Sequence, residues 1–260
     1  MSMELSAKEL MYAAALSDAK YIWGISDPFL GESPEDVNRQ IKELQKSLVA
    51  KGYASEGFEE SFQLNKECRE LVSSCCDCEQ LFGLEIQQSS VEPKQLFCYR
   101  KGEELTLLQG EEKQLTLERV NGEGIPEKCR EMLTSEEGDV RNPVEGMVTV
   151  KLIEEAKATG NREQAERLLA ENGVCKEIAE VIGATIIGRV RTIRIYLQDT
   201  KARTREDLLL LWTEKGILEI TEDIQQAEET WRLRSMEGDE ILQMIAEKCN
   251  RLIQKAEVQS

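Results

Sequence analysis

The sequence predicts an α+β fold, with a central antiparallel sheet flanked by two helical bundles. Three observations lead there. Helix starts and stops are sharply punctuated near the beginning and again past the middle of the chain. Two stretches, 84–117 and 187–236, break into short β-type runs joined by polar links. The order helices, four short strands, helix occurs twice, once in residues 1–140 and once in residues 141–260.

The first helix starts at Ser6, a capping residue with Glu9 three positions on and Leu5 and Leu10 placed as a hydrophobic staple. It is expected to run to about Trp23. Ser33-Pro34 supplies the next cap and first-turn proline. Val37, Ile41, Leu44 and Leu48 then recur at helical spacing, and Gly52 is a natural stop. A third helix is expected over residues 57–82. Leu64, Cys68, Leu71, Cys75, Cys78 and Phe82 share one stripe there, and Gly83 follows. Strand-like runs cover 84–86, 96–99, 105–108 and 115–117. Lys101-Gly102 and Gly110 lie in their connections as hairpin signals. Pro126 opens a short helix to about Leu133.

Residues 135–142 are polar, contain Gly138 and read as a linker. Asn142-Pro143-Val144-Glu145 reads as a new helix start, stopped by Gly160. Asn161 and Gln164 repeat the capping logic for a helix ended by Gly173, and a third helix covers 174–184. Strands are expected at 187–197, 208–213, 217–221 and 231–236, then an amphipathic helix over 239–255. Strands joined by short links form antiparallel meanders. The doubled order implies one pseudo-symmetric domain of two halves, 1–140 and 141–260. Identity between the halves is weak, so two unrelated α+β halves is the competing reading.

Composition narrows the function. Among 260 residues, 33 Lys plus Arg face 50 Asp plus Glu, a formal charge of −17, and histidine is absent. No imidazole is therefore available to activate a Ser or Cys nucleophile or to bind a metal. The acidic balance argues against nucleic acid and against anionic membrane. No run reaches the length of a membrane span. Glu4, Lys8, Glu9, Asp18 and Lys20 interrupt the first 20 residues, so no signal peptide is expected and the cytoplasm is the expected location. The eight cysteines are too sparse for a disulfide scaffold.

Cys75 and Cys78, with Cys68 nearby, form the one CxxC pair, but no second pair or histidine completes a zinc site. Their shared stripe with Leu71 and Phe82 favours core packing over redox chemistry. Carboxylate pairs such as Glu103-Glu104 fall in polar turns, and no phosphate-binding glycine pattern occurs, so no catalytic residue, metal or cofactor is expected. Arg189, Arg191, Arg194, Lys201, Arg203 and Arg205 make a basic strip, readable as a contact surface or as a charged edge strand. The run Leu208-Leu209-Leu210-Leu211-Trp212 reads as a strand buried on both faces, with an exposed groove for a partner helix as the alternative. Trp231, Met236 and Met244, the last on the flank of the final helix, are candidates for contact with a partner, together with Arg189 and Arg191.

The opening Leu5-Ser6-Ala7-Lys8-Glu9-Leu10, then Lys51-Gly52-Tyr53, Gly57-Phe58 and Phe62-Gln63-Leu64, with the two meanders behind them, resemble the EspG-type chaperones of type VII (ESX) secretion systems and their EspG-like relatives in Gram-positive bacteria. The resemblance spans nearly the whole chain and rests on hydrophobic pattern and punctuation. It implies the EspG-like pseudo-two-fold architecture and a non-enzymatic cytoplasmic chaperone that holds helical secretion substrates soluble before export. One departure is the short turn at Lys101-Gly102-Glu103, where the family has a longer loop that helps to bind substrate. From charge alone, the alternative is an immunity or antitoxin protein that neutralises a basic toxin. Neither reading fixes the oligomeric state.

Overall fold

The computed structural model describes residues 2–56, 62–88, 91–133, 144–188, 190–213, 216–223 and 229–257. β1 (Ser2–Leu5) leads into α1 (Ala7–Ala15) and α2 (Pro34–Ala50). A hairpin of β2 (Ala54–Glu56) and β3 (Phe62–Leu64) precedes α3 (Lys66–Cys76). The meander β4 (Gln80–Gln88), β5 (Lys94–Lys101), β6 (Glu104–Glu111), β7 (Gln114–Val120) and the helix α4 (Ile125–Leu133) complete the first half. The second half runs β8 (Glu145–Thr149), α5 (Val150–Ala158), α6 (Arg162–Glu171), α7 (Lys176–Ile186), β9 (Arg191–Asp199), β10 (Thr204–Thr213), β11 (Gly216–Asp223), β12 (Thr230–Met236) and α8 (Gly238–Glu257).

The caps read from the sequence are in place. Ser6 Oγ accepts from the Glu9 amide at 3.2 Å, and Glu9 Oε2 accepts from the Ser6 amide at 2.7 Å. Ser33 caps α2 and Asn161 caps α6, each side chain accepting from the backbone amide three residues on. Several boundaries differ. The first helix ends at Ala15, and Asp18 follows with φ 59°. The helix expected over 57–82 is only α3. Residues 62–64 pair with the 54–56 strand, and Cys78 and Phe82 leave the helical stripe because 80–88 pairs with β9. Glu145 begins a strand, not a helix. Its residues pair with β12, and Thr149 becomes the true cap of α5. Gly110 lies inside β6 rather than in a turn. The expected linker 135–142 and the boundary at 140/141 fall outside the described residues.

The sheet order is β1-β7-β6-β5-β4-β9-β10-β11-β12-β8, antiparallel throughout. This order is a palindrome. Each half contributes an edge strand that pairs with the last strand of its own meander, and the halves meet at β4 and β9. Leu84 faces Ile195 at the centre of that seam. Counting outward along the registers makes Phe97 equivalent to Leu209, Tyr99 to Leu211, Leu117 to Leu233, and Leu5 to Val148. The caps Ser6 and Thr149 become equivalent too. In each half the first residue of the next helix donates its amide to a turn carbonyl: Ala7 to Glu112 at 2.8 Å and Val150 to Glu229 at 2.9 Å. The fold is thus pseudo-two-fold, with its axis passing through the sheet between Leu84 and Ile195.

Side chains alternate between the two faces. On one face, α1–α3 cover Leu81, Phe97, Tyr99, Leu108, Leu115 and Leu117, while α5–α7 cover Leu218, Ile220 and Leu233 at the other end. On the opposite face α4 and α8 pack over Phe82, Leu84, Cys98, Ile193, Ile195 and Leu210. Polar contacts anchor α8: Arg251 donates to both Glu206 carboxylate oxygens at 2.6 Å. Side chains also pin both ends of the seam. Gln80 Nε2 donates to Asp199 at 3.4 Å, and Arg191 Nε donates to Gln88 at 3.0 Å.

Candidate functional site

The face that carries α1–α3 and α5–α7 is open between the two bundles, where the axis emerges. Tyr196 and Glu85 are equivalent positions there, as are Gly83 and Arg194. A β-carbon on Gly83 would overlap the Tyr196 ring, so glycine lets the ring lie across the seam. Tyr196 Oη donates to Glu85 Oε1 at 3.4 Å. The Arg205 guanidinium stacks 3.7 Å over the same ring. Asp207 takes Arg205 at 2.8 Å and Arg194 at 3.6 Å. Burial pushes the Glu85 carboxyl above its ordinary range, partly offset by Arg194 and Arg205. Burial likewise raises the Tyr196 phenol, so it stays a neutral donor.

Beside this polar centre the two halves differ. In the first half, residues 16–33 form a long link between α1 and α2 that folds over the sheet. Gly24 comes so close that a β-carbon there would sit 3.0 Å from the Phe97 ring. Tyr99 Oη donates to the Trp23 carbonyl at 2.8 Å. Phe97 and Tyr99 are fully buried as a result. In the second half, residues 159–161 alone join α5 to α6. Nothing among the described residues corresponds to the 16–33 cover. The equivalents Leu209 and Leu211 are only half-buried, at the edge of the core formed with α5–α7. The half-buried Trp231 packs against that same core. Its indole Nε1 is buried, without a hydrogen-bond partner among the described residues.

The residues singled out from sequence do not gather at one place. Trp231 lies on the open face. Met236 is fully buried on the opposite face, with the half-buried Met244 of α8 in the same core. Arg191 holds the seam through Gln88, and Arg189 lies outside the described residues. From the basic strip, Arg194 and Arg205 reach the open centre, while Lys201 pairs with Glu79 at 2.7 Å. In the leucine run, Leu208 and Leu210 are buried, whereas Leu209 and Leu211 keep an exposed edge. The leucine-run signal was thus divided between core and surface, and only the strand register shows which residues belong to which.

The cysteines of the CxxC stripe pack in the core. Cys68 and Cys75 are buried in α3, and Cys78 is buried just beyond it. Burial pushes the Cys68 thiol up to about 11 and the Cys78 thiol up to about 12, and burial with neighbouring thiols also holds Cys75 well above its ordinary value. Such thiols are protonated at neutral pH and lack the thiolate that nucleophilic or metal chemistry needs. Among the described residues, no group of three or more Cys, Asp or Glu is placed to hold a metal ion. None of the described helices is long and apolar enough to cross a membrane.

The architecture is EspG-like. In particular, the fold is similar to that of the Mycobacterium tuberculosis type VII secretion system chaperone EspG5, solved in complex with the PE25-PPE41 dimer. The TM-score is 0.59, and the likeness covers 96% of this chain and 95% of that one, at 11% sequence identity. At that identity the likeness is one of fold. No family model matches the chain, and no curated protein matches it in sequence.

Proposed function

We propose that the protein is a non-enzymatic cytoplasmic chaperone or adaptor that binds a helical substrate of a type VII secretion system and keeps it soluble before export. The observation that carries this reading is the EspG-type fold, shared over nearly the full length of both chains. EspG5 was solved holding a PE-PPE dimer, and this chain would hold a protein partner by sequestration, with no covalent step.

The docking face in this reading is the open one. An apolar tip of the substrate would lie against Leu209, Leu211 and Trp231, where the first half uses its own residues 16–33. Burying apolar surface contributes about 25 cal/mol per Å² removed from water. Arg194, Asp207 and Arg205 would supply the polar rim. The −17 charge would keep the complex soluble. Residues 1–140 and 141–260 would act as two halves of one domain, the first self-covered and the second receptive.

Co-expression tests the proposal. The chain is produced together with candidate helical secreted proteins of the WXG or LXG type. A stable one-to-one complex, with the substrate insoluble when expressed alone, is the expected result. Substrates that are equally soluble without the chain and never co-elute with it would overturn the proposal.

A further inference from the structure

A cleft of about 450 Å³ opens in the first half, with neither Leu209 nor Leu211 in its lining. Residues 24–28 form one side of it, and Ala7, the ends of β4 and β5 and Glu112 of the β6–β7 turn form the rest. Its lining combines two kinds of surface. Ile25, Pro28 and Pro93 are apolar, whereas Asp27, Glu85 and Glu112 are acidic against the single base Lys94. Arg194 and Arg205 attend to Glu85 from the second half. Asp27 and Glu112 are exposed and carry no ion pair among the described residues. Among the described residues, Asp27 Oδ1 accepts only the Phe29 amide, at 2.9 Å. Lys113, the neighbour of Glu112, is paired with Glu92.

Apolar walls with unpaired carboxylates complement one kind of side chain. Arginine and lysine bury a methylene stem along apolar surface and keep a charged head for a carboxylate. Arginine suits the site better, because its planar fork takes two acceptors at once. We infer that this cleft takes an arginine side chain from an extended segment of a partner polypeptide. Its lining includes none of Leu209, Leu211 and Trp231 of the proposed docking face, and its test does not depend on that reading. The occupant is identified by charge complementarity: the first half carries 28 acids and 15 bases, a net −13 of the total −17.

The test uses the full chain and a fluorescein-labelled (Gly-Ser-Arg)3 peptide, with the same peptide carrying citrulline for arginine as its neutral isostere. Anisotropy should show saturable binding of the arginine peptide, at least tenfold tighter than the citrulline twin. Asp27→Asn with Glu112→Gln, which keeps the Asp27 turn hydrogen bond, should weaken it at least fivefold. Glu154→Gln with Glu163→Gln removes two exposed carboxylates from α5 and α6 and should change it less than twofold. Equal weakening by both double variants would mean diffuse attraction to an acidic protein and would overturn the inference. So would equal binding of the citrulline peptide, or no saturable binding at all. Circular dichroism of both variants confirms that each is folded.

Discussion

Tyr196 lies flat across Gly83, its partner in the β4–β9 register, and this contact closes the seam between the two half-sheets. Any side chain at Gly83 must displace the ring and with it the Arg205 stack. Gly83→Ala should therefore destabilise the fold by about 1–3 kcal/mol, the usual cost of overpacking a tight core. Urea denaturation followed by circular dichroism measures it. A neutral outcome would mean that the ring moves freely.

The equivalence of Ser6 and Thr149 makes a second prediction. Each is the N-cap of the helix that follows an edge strand. Ser6→Ala and Thr149→Ala should each cost about 1 kcal/mol in thermal unfolding. Ser6 should cost the more of the two, because Glu9 completes a capping box only there.

Phe97 and Leu209 occupy equivalent positions but different environments. Phe97→Ala empties a fully buried site and should cost about 3–5 kcal/mol. Leu209→Ala removes a half-buried side chain and should cost less than about 2 kcal/mol. Comparable losses by differential scanning calorimetry would contradict the covered-versus-open distinction.

The Glu206–Arg251 contact carries a pH signature. Hydrogen bonds from Arg251 hold the Glu206 carboxyl down to about 2, against an ordinary value of 4.5. A carboxylate depressed by folding contributes stability that is present above its unfolded pKa and is lost as pH falls through the folded one. The wild type should therefore outlast Glu206→Gln at pH 7, and the gap should close between pH 4.5 and 2. The pair is solvent-exposed, so screening limits the gap to about 0–1 kcal/mol.

Much of the fold was legible because local chemistry marked it. Ser6, Ser33 and Asn161 announced their helices, and the meander strands showed as short apolar runs. Where tertiary pairing decides, the sequence misled. Cys78 and Phe82 continue the helical stripe of α3, yet pairing with β9 draws 80–88 into the sheet. Asn142-Pro143 looked like a helix start, but β12 takes 145–149 as an edge strand. The open face was harder still. Leu208 to Leu211 are four identical residues, and nothing local separates the two that point toward α8 from the two left half-covered. That distinction comes from the lack, among the described residues, of a second-half cover like 16–33, which is visible only once the registers relate Leu209 to Phe97.

The most direct test of the central claim is isothermal titration of a co-purified helical substrate onto the chain at 0.1 and 1 M NaCl, with Leu209→Glu alongside. An apolar docking face predicts affinity within about threefold between the two salt concentrations, because charge contacts are screened at high salt and apolar ones are not. It also predicts that Leu209→Glu loses binding while the protein stays folded. Affinity that collapses at 1 M NaCl, or full binding by Leu209→Glu, would contradict the account.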